Sequence, residues 1–223
     1  MKIGIIGAGH IGGTLARRLS ALGHDVSVAN SRGPDTLAGL AKETGVKAVS
    51  VREAARGKDV VIVSIPEKAV RDLPRDLFDA RDRTIVVDTG NYYPKRDGRI
   101  AAIEDGMTES QWVAQQFGRP VIKAFNTIYA QHLMERGRAA DQAGRIALPV
   151  AGDDAEAKRV VLQLIDQLGF DGVDAGSLAE SWRQQPGAPI YGTDLNREAA
   201  ERALTSASRA RPAEFRASAS ASA

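Results

Sequence analysis

The sequence predicts an α/β fold: a doubly wound, mostly parallel sheet carrying a short helical C-terminal cap. Three observations predict it. Short apolar runs alternate with helix-period segments along most of the chain, the pattern of parallel strands joined by crossover helices. The first run ends directly in a glycine triplet, Gly7-x-Gly9-x-x-Gly12, that opens a helix. The clearest run, DVVIVSI at Asp59–Ile65, is apolar at successive positions and stops at Pro66, as a strand covered on both faces does.

In chain order, Ile3–Ile6 reads as a strand. Ile11–Leu22 follows as a helix, because Ile11, Leu15, Leu19 and Leu22 recur at helical spacing. Asp25–Ala29 is a second strand, Asp35–Thr44 a short helix closed by Gly45, and Val46–Val49 a brief third strand. Val51–Arg56 is a helical turn ending at Gly57. After the fourth strand, Glu67–Leu73 and Arg75–Asp79 read as helical pieces interrupted by Pro74, which cannot donate an amide. Thr84–Val87 is a fifth strand and runs into Asp88-Thr-Gly-Asn, a loop by composition. Glu109–Phe117 is a helix and Pro120–Phe125 a sixth strand. Ile146–Ala151 and Asp171–Ala175 are expected as further strands that extend the sheet, around an amphipathic helix at Ala155–Leu168 capped by Asp153-Asp154. Ala179–Gln185 and Arg197–Ser208 are expected as cap helices. The chain thus divides into residues 1–145, an extension and cap at 146–208, and a tail at 209–223 whose composition predicts disorder.

Composition narrows the function. The chain has 223 residues, 43% hydrophobic and 26% charged, with a formal charge of +2. That charge, with basic and acidic residues interspersed, argues against a nucleic-acid partner. There is no cysteine, so thiolate chemistry and disulfides are excluded, and His10, His24 and His132 lack metal-ligand spacing. No run is long enough to span a bilayer, and no secretion signal precedes the first strand. A cytoplasmic protein without a membrane partner is expected. Trp112 and Trp182 read as packing residues.

The glycine triplet has a specific chemistry in this setting. Gly7 permits the tight turn, Gly9 lets a backbone approach a pyrophosphate, and Gly12 lets helix and strand pack closely. Ala8, His10 and Ile11 present backbone amides at the helix N-terminus, where the macrodipole favours an anion. Residues 1–145 therefore read as a Rossmann-type dinucleotide-binding domain. About 20 residues further on, an acidic residue normally receives the adenosine ribose; this sequence instead has Asn30-Ser31-Arg32. A hydroxyl and a guanidinium there, with no carboxylate, suit the 2′-phosphate of NADP, and Asp35 reads as a helix cap.

KIGIIGAGHIGGTLARRLSALGHDV, NSR, VVIVSIP, KAFNTI and VAGDDAEAK followed by DAG together resemble the coenzyme F420-dependent NADP oxidoreductases, over about the first 175 residues. The resemblance implies that Gly7 to Gly12 hold the pyrophosphate and Ser31 and Arg32 the 2′-phosphate. It also implies that Ser64, Ile65 and Pro66 line the nicotinamide side, with Ile65 or Val70 against the ring. Asn126 and Thr127, and less directly Asn91, are then expected to face the second coenzyme, and a homodimer is implied. Cofactors on this reading are NADP and, as co-substrate, coenzyme F420 or a flavin. No catalytic acid or base and no metal is expected, because hydride transfer between two stacked rings rests mainly on positioning. The tyrosines Tyr92, Tyr93, Tyr129 and Tyr191 lack the Tyr-x-x-x-Lys spacing of short-chain dehydrogenases. Two alternatives stay open: reduction of a small carbonyl or imine, and a non-catalytic NADP(H) sensor.

Overall fold

The computed structural model describes residues 1–78 and 83–218. Six strands, β1 (Lys2–Ile6), β2 (Asp25–Ala29), β3 (Lys47–Ala48), β4 (Val60–Val63), β5 (Ile85–Asp88) and β6 (Ile122–Lys123), form one parallel sheet in the order β3-β2-β1-β4-β5-β6. The order reverses between β1 and β4. A crevice therefore opens at the carboxyl ends of these two strands, the place where such sheets take ligands. Both strands are apolar at successive positions because helices cover both faces of the sheet. One face packs Ile3, Ile5 and Ile62 against Leu15 and Leu19 of α1 (His10–Ala21); the other packs Ile6, Val61 and Val63 with Tyr92 and Trp112.

Local chemistry sets the helix ends. α2 (Ala38–Thr44) follows a 3-10 turn at Pro34–Leu37 and stops at Gly45, whose φ of 75° suits glycine. Asp35, expected as a cap, lies inside that turn and caps nothing; the N-cap position is taken by Gly33. α3 (Val51–Ala55) starts with a capping box between Ser50 and Glu53. α4 (Glu67–Val70) is only four residues long. Residues 71–78 form turns where a second helical piece at Arg75–Asp79 was expected, because Pro74 denies the helix an amide; Asp79 lies outside the described residues. α5 (Pro94–Asp97), α6 (Ala101–Glu104) and, later, α8 (Ala130–Glu135) are too short for a period to be visible in the sequence. α7 (Glu109–Phe117) has the predicted bounds, set by a Thr108–Gln111 capping box and by Gly118 at φ 61°.

The expected extension of the sheet is corrected. β7 (Ala147–Val150) and β8 (Asp171–Asp174), joined through α9 (Ala155–Gln167), pair only with each other as a separate two-stranded parallel sheet. A two-residue β6 offers no ladder to extend, and the chain then turns away at Phe125, a buried residue in the left-handed region at φ 61°. One antiparallel bridge, Lys123 to Ala151, joins the two sheets. Asp154 caps α9 as read, accepting the Glu156 and Ala157 amides at 2.9 and 3.0 Å. In the cap, Leu178–Gln184 is a 3-10 helix, and α10 spans Arg197–Ser206.

The expected disorder from residue 209 is also corrected, for residues 209–218. The Arg211 guanidinium donates to Glu109 at 2.8 Å and to Gln185 at 3.0 Å and lies over the Tyr92 ring. Phe215 rests against Tyr93, and the Ala217 amide donates to Glu104 at 2.9 Å. A segment poor in apolar residues is thus ordered by charge, which composition alone does not reveal. Residues 219–223 lie outside the described residues. Among the described residues, no helix is long and apolar enough to cross a membrane, and no cluster of His, Asp and Glu could hold a metal ion.

Candidate nucleotide site at the sheet's carboxyl edge

The glycine triplet lies where β1 meets α1, and each glycine is forced by a different neighbour. A Cβ on Gly7 (φ 106°) would sit 2.1 Å from the Ser64 carbonyl oxygen, and one on Gly12 would sit 1.9 Å from the Gly7 carbonyl oxygen. Those two glycines let β1, α1 and the loop after β4 close on one another. Gly9 differs: a Cβ there would meet nothing within 4 Å. The open side of Gly9 faces a groove of about 520 Å³ lined by Ala8, Gly9, His10, Thr14, Ala130 and Gln131. Gly9 caps α1 without a side chain, and the first turn holds no acidic residue. The amides of His10, Ile11 and Gly12 therefore end the helix without intrahelical partners and with uncompensated dipole charge, which fits a pyrophosphate. His10 is exposed on this loop and Ile11 is half-buried.

At the tip of β2, the Asn30 side chain organises its own loop. Its Oδ1 accepts from the Arg32 amide at 2.9 Å, and its Nδ2 donates to Thr36 at 2.9 Å. Asn30 thus shapes the turn that carries Ser31 and Arg32, both exposed. Among the described residues, the Arg32 guanidinium has no hydrogen-bond or ion-pair partner. An arginine held on a braced turn with no carboxylate beside it fits a phosphate dianion, and the donor set agrees with NADP.

Ser64, Ile65 and Pro66 are all half-buried at the end of β4, with Ser64 and Ile65 packed directly against the glycine loop. Ile65 Cγ2 would lie 2.8 Å from a Cβ on Gly7, so Ile65 borders both the loop and the crevice. Val70 is placed differently from the expected ring contact: it is 3% exposed and packs in the core with Trp112 and Val86. Asn91 and Asn126 are brought together as expected, from the loops after β5 and β6, but they serve each other. Asn91 Nδ2 donates to the Asn126 carbonyl at 2.9 Å, and Asn126 Nδ2 donates to Asn91 Oδ1 at 3.0 Å. Gln184 completes the clasp by donating to Asn126 Oδ1 at 2.9 Å, while its own carbonyl accepts from Asn126. The amide of Asn126 is thereby saturated, and Asn126 is 4% and Thr127 3% exposed. The Asn126 side chain, through Gln184, and the Thr127 carbonyl, through the Gly192 amide at 2.9 Å, tie the C-terminal segment to the crevice wall. Gln184 gave no signal in the sequence, because the contact spans 58 residues.

Beneath the crevice lies a cluster of buried charges. Lys123, fully buried, donates to Asp88 at 3.1 Å and to the Gly90 carbonyl, and lies 4.0 Å from Glu109. Asp88 also accepts from the Gly90 amide at 2.8 Å and the Ser110 hydroxyl at 2.6 Å. Burial pushes the Glu109 carboxyl up, while Lys123 and Arg211 pull it back. Glu67 is the odd member. It is fully buried, neither carboxyl oxygen has a hydrogen-bond partner among the described residues, and a Cβ on Gly90 would sit 2.5 Å from its Oε1. Burial first, and then the neighbouring Asp88 charge, hold its pKa well above the carboxylate range, with Lys123 opposing. Burial and the Asp88 charge thus both favour the protonated form of Glu67, beside the Asp88 and Glu109 carboxyls and the Lys123 and Arg211 cations.

A group that keeps its proton when folded but releases it near pH 4.3 when unfolded costs stability as pH rises above about 4.3, until it ionises in the folded chain too. Glu67→Gln is therefore expected to flatten the stability profile above about pH 5. Its melting temperature should gain on the unmodified chain between pH 5 and pH 8. An equal difference at both pH values would show that Glu67 is charged when folded.

Comparison with known proteins agrees with this geometry. Residues 2–92 match the family described as NADP oxidoreductase, coenzyme F420-dependent. The chain is 31% identical over 181 residues to metalloreductase STEAP3 of Rattus norvegicus, covering 81% of this chain and 35% of that protein. Among solved structures, the hypothetical protein SMa0349 of Sinorhizobium meliloti superposes with a TM-score of 0.77 at 33% identity, covering 88% of this chain and 96% of that one. A candidate F420-dependent NADP-reductase from Arthrobacter sp. FB24 gives 0.65 at 25% identity, over 79% and 85%. The chain spans about a third of the length of the curated relatives it matches. The glycine-loop segment, residues 2–92, thus matches the coenzyme F420-dependent NADP oxidoreductase family, and the fold is similar to that of the Arthrobacter protein.

Proposed function

We propose that the chain binds NADPH across the switch point and passes its hydride to coenzyme F420 or a flavin. The observation that carries this reading is the pairing of the open α1 N-terminus at Gly9 with Arg32 on the braced turn after β2, its guanidinium without a partner among the described residues. On this reading the amides of residues 8–12 hold the pyrophosphate, and Ser31 with Arg32 holds the 2′-phosphate. Ile65 and Pro66 wall the nicotinamide side, and the bound dinucleotide supplies the hydride chemistry. The protein contributes placement. The Asn91–Asn126–Gln184 clasp fixes the loops after β5 and β6, so the acceptor ring meets a wall that does not yield.

The test is anaerobic oxidation of NADPH, followed by loss of the reduced-nicotinamide absorbance, with coenzyme F420, FMN and FAD offered in turn. Turnover with F420 or a flavin supports the reading and names the acceptor. NADPH binding without oxidation by any of the three overturns it in favour of a sensor or of a carbonyl or imine substrate.

A further inference from the structure

Three tyrosines from distant parts of the sequence meet beside the crevice. Tyr93 follows the β5 loop, Tyr129 follows the β6 loop, and Tyr191 lies in the Pro/Gly-rich stretch before α10. The Tyr93 and Tyr191 hydroxyls hydrogen-bond to each other. The Tyr129 hydroxyl would lie 3.0 Å from a Cβ on Gly192, and the Gly192 amide donates to the Thr127 carbonyl at 2.9 Å, so the Tyr191 loop is tied directly to the crevice wall. Tyr129 is the most exposed large side chain in the neighbourhood, at 57%, and offers a ring face for a planar molecule to stack on. Arg96 lies over the Tyr93 ring, and its guanidinium donates to the Asn91 carbonyl at 2.6 Å.

Two bonded hydroxyls hold two protons but use only one between them. The hydroxyl that accepts keeps its own hydrogen free to donate outward. Spacing alone dismissed these tyrosines, because neither carries the lysine of a short-chain dehydrogenase; the fold supplies a second tyrosine in its place.

We propose that the Tyr93–Tyr191 hydroxyl pair is the proton donor to the hydride acceptor, which is a planar conjugated compound whose oxygen or nitrogen becomes anionic as hydride arrives. The proposal rests on the hydride-transfer reading above. In the step, the C–H bond of the reduced nicotinamide breaks and its electron pair leaves with the hydrogen to the acceptor. The anionic heteroatom of the acceptor takes a phenolic proton, and solvent returns a proton to the pair. The groups facing Tyr191 are Tyr93, Tyr129 and Glu109, and Arg96 faces Tyr93.

The experiment uses the full chain and its Tyr191→Phe and Tyr93→Phe variants, with F420, FMN and FAD as acceptors. Two quantities are read: equilibrium binding of the oxidised acceptor without NADPH, and anaerobic NADPH oxidation across pH. Both variants are expected to bind NADPH as the unmodified chain does and to bind the acceptor about 2–10-fold more weakly, the worth of a neutral hydrogen bond. Turnover in Tyr191→Phe is expected to fall about 100-fold, within the range of a lost general acid, and to gain a steeper dependence on acidity. Unchanged acceptor binding and turnover in both variants would overturn the proposal while leaving hydride transfer standing. No oxidation by the unmodified chain would overturn the hydride-transfer reading, and the proton step with it.

Discussion

Lys123→Met is expected to remove about 3–5 kcal/mol of folding free energy, the cost of breaking a buried ion pair from one side. The methionine nearly matches the lysine in length, so packing is largely kept and the effect is electrostatic. Without the ammonium, Asp88 keeps the Gly90 amide and the Ser110 hydroxyl but loses its cation, and Glu109 keeps Arg211 as its remaining cation among the described residues. At roughly 2–4 °C per kcal/mol for a chain of this size, the melting temperature should fall by roughly 6–20 °C. A second substitution, Asp88→Leu on the same background, should recover part of the loss, because an apolar pair can replace a buried ion pair where a single charge cannot stand alone. A loss under about 1 kcal/mol for the single variant, measured by denaturant unfolding, would mean that water already reaches the cluster.

Arg32→Ala is expected to weaken NADPH binding about 10–100-fold, the worth of a charge-assisted hydrogen bond at roughly 1.5–3 kcal/mol. NADH binding should stay unchanged, since among the described residues the Arg32 side chain has no hydrogen-bond or ion-pair partner and its backbone bond to Asn30 survives the substitution. Paired titrations with the two reduced dinucleotides decide the matter. Equal weakening of both would assign Arg32 to the pyrophosphate or to the loop rather than to the 2′-phosphate. Replacing Asn30 instead should weaken both, because Asn30 braces the turn.

The parts of the molecule legible in the sequence are those whose causes are local. The glycine triplet, the apolar runs of β1 and β4, the Thr108-to-Gly118 bounds of α7 and the Asp154 cap each follow from neighbours within a few residues. The Ser31–Arg32 tip was legible for the same reason. What escaped depends on distance along the chain. Asn126 looked like a residue facing a ligand because its saturating partner, Gln184, arrives from the C-terminal segment. Val70 looked available to a ring, yet α4 turns it into the core beside Trp112. The separate β7–β8 pair hinges on how short β6 is and on the left-handed backbone at Phe125, neither of which has a sequence signature. Glu67 had the least signal of all, since a glutamate after a strand-ending proline reads as an ordinary exposed helix start.

The Arg211–Glu109 pair carries a consequence for how the chain matures. Glu109 is fully buried, and its guanidinium partner lies 102 residues later. At about 5–20 residues per second, a growing chain keeps that carboxylate without Arg211 for roughly 5–20 s. During synthesis the six-stranded sheet can assemble with Lys123 already beside Glu109, long before its second cation, Arg211, arrives. The Glu109 side of the crevice floor therefore settles in two stages, Lys123 arriving with the sheet and Arg211 only when residue 211 emerges.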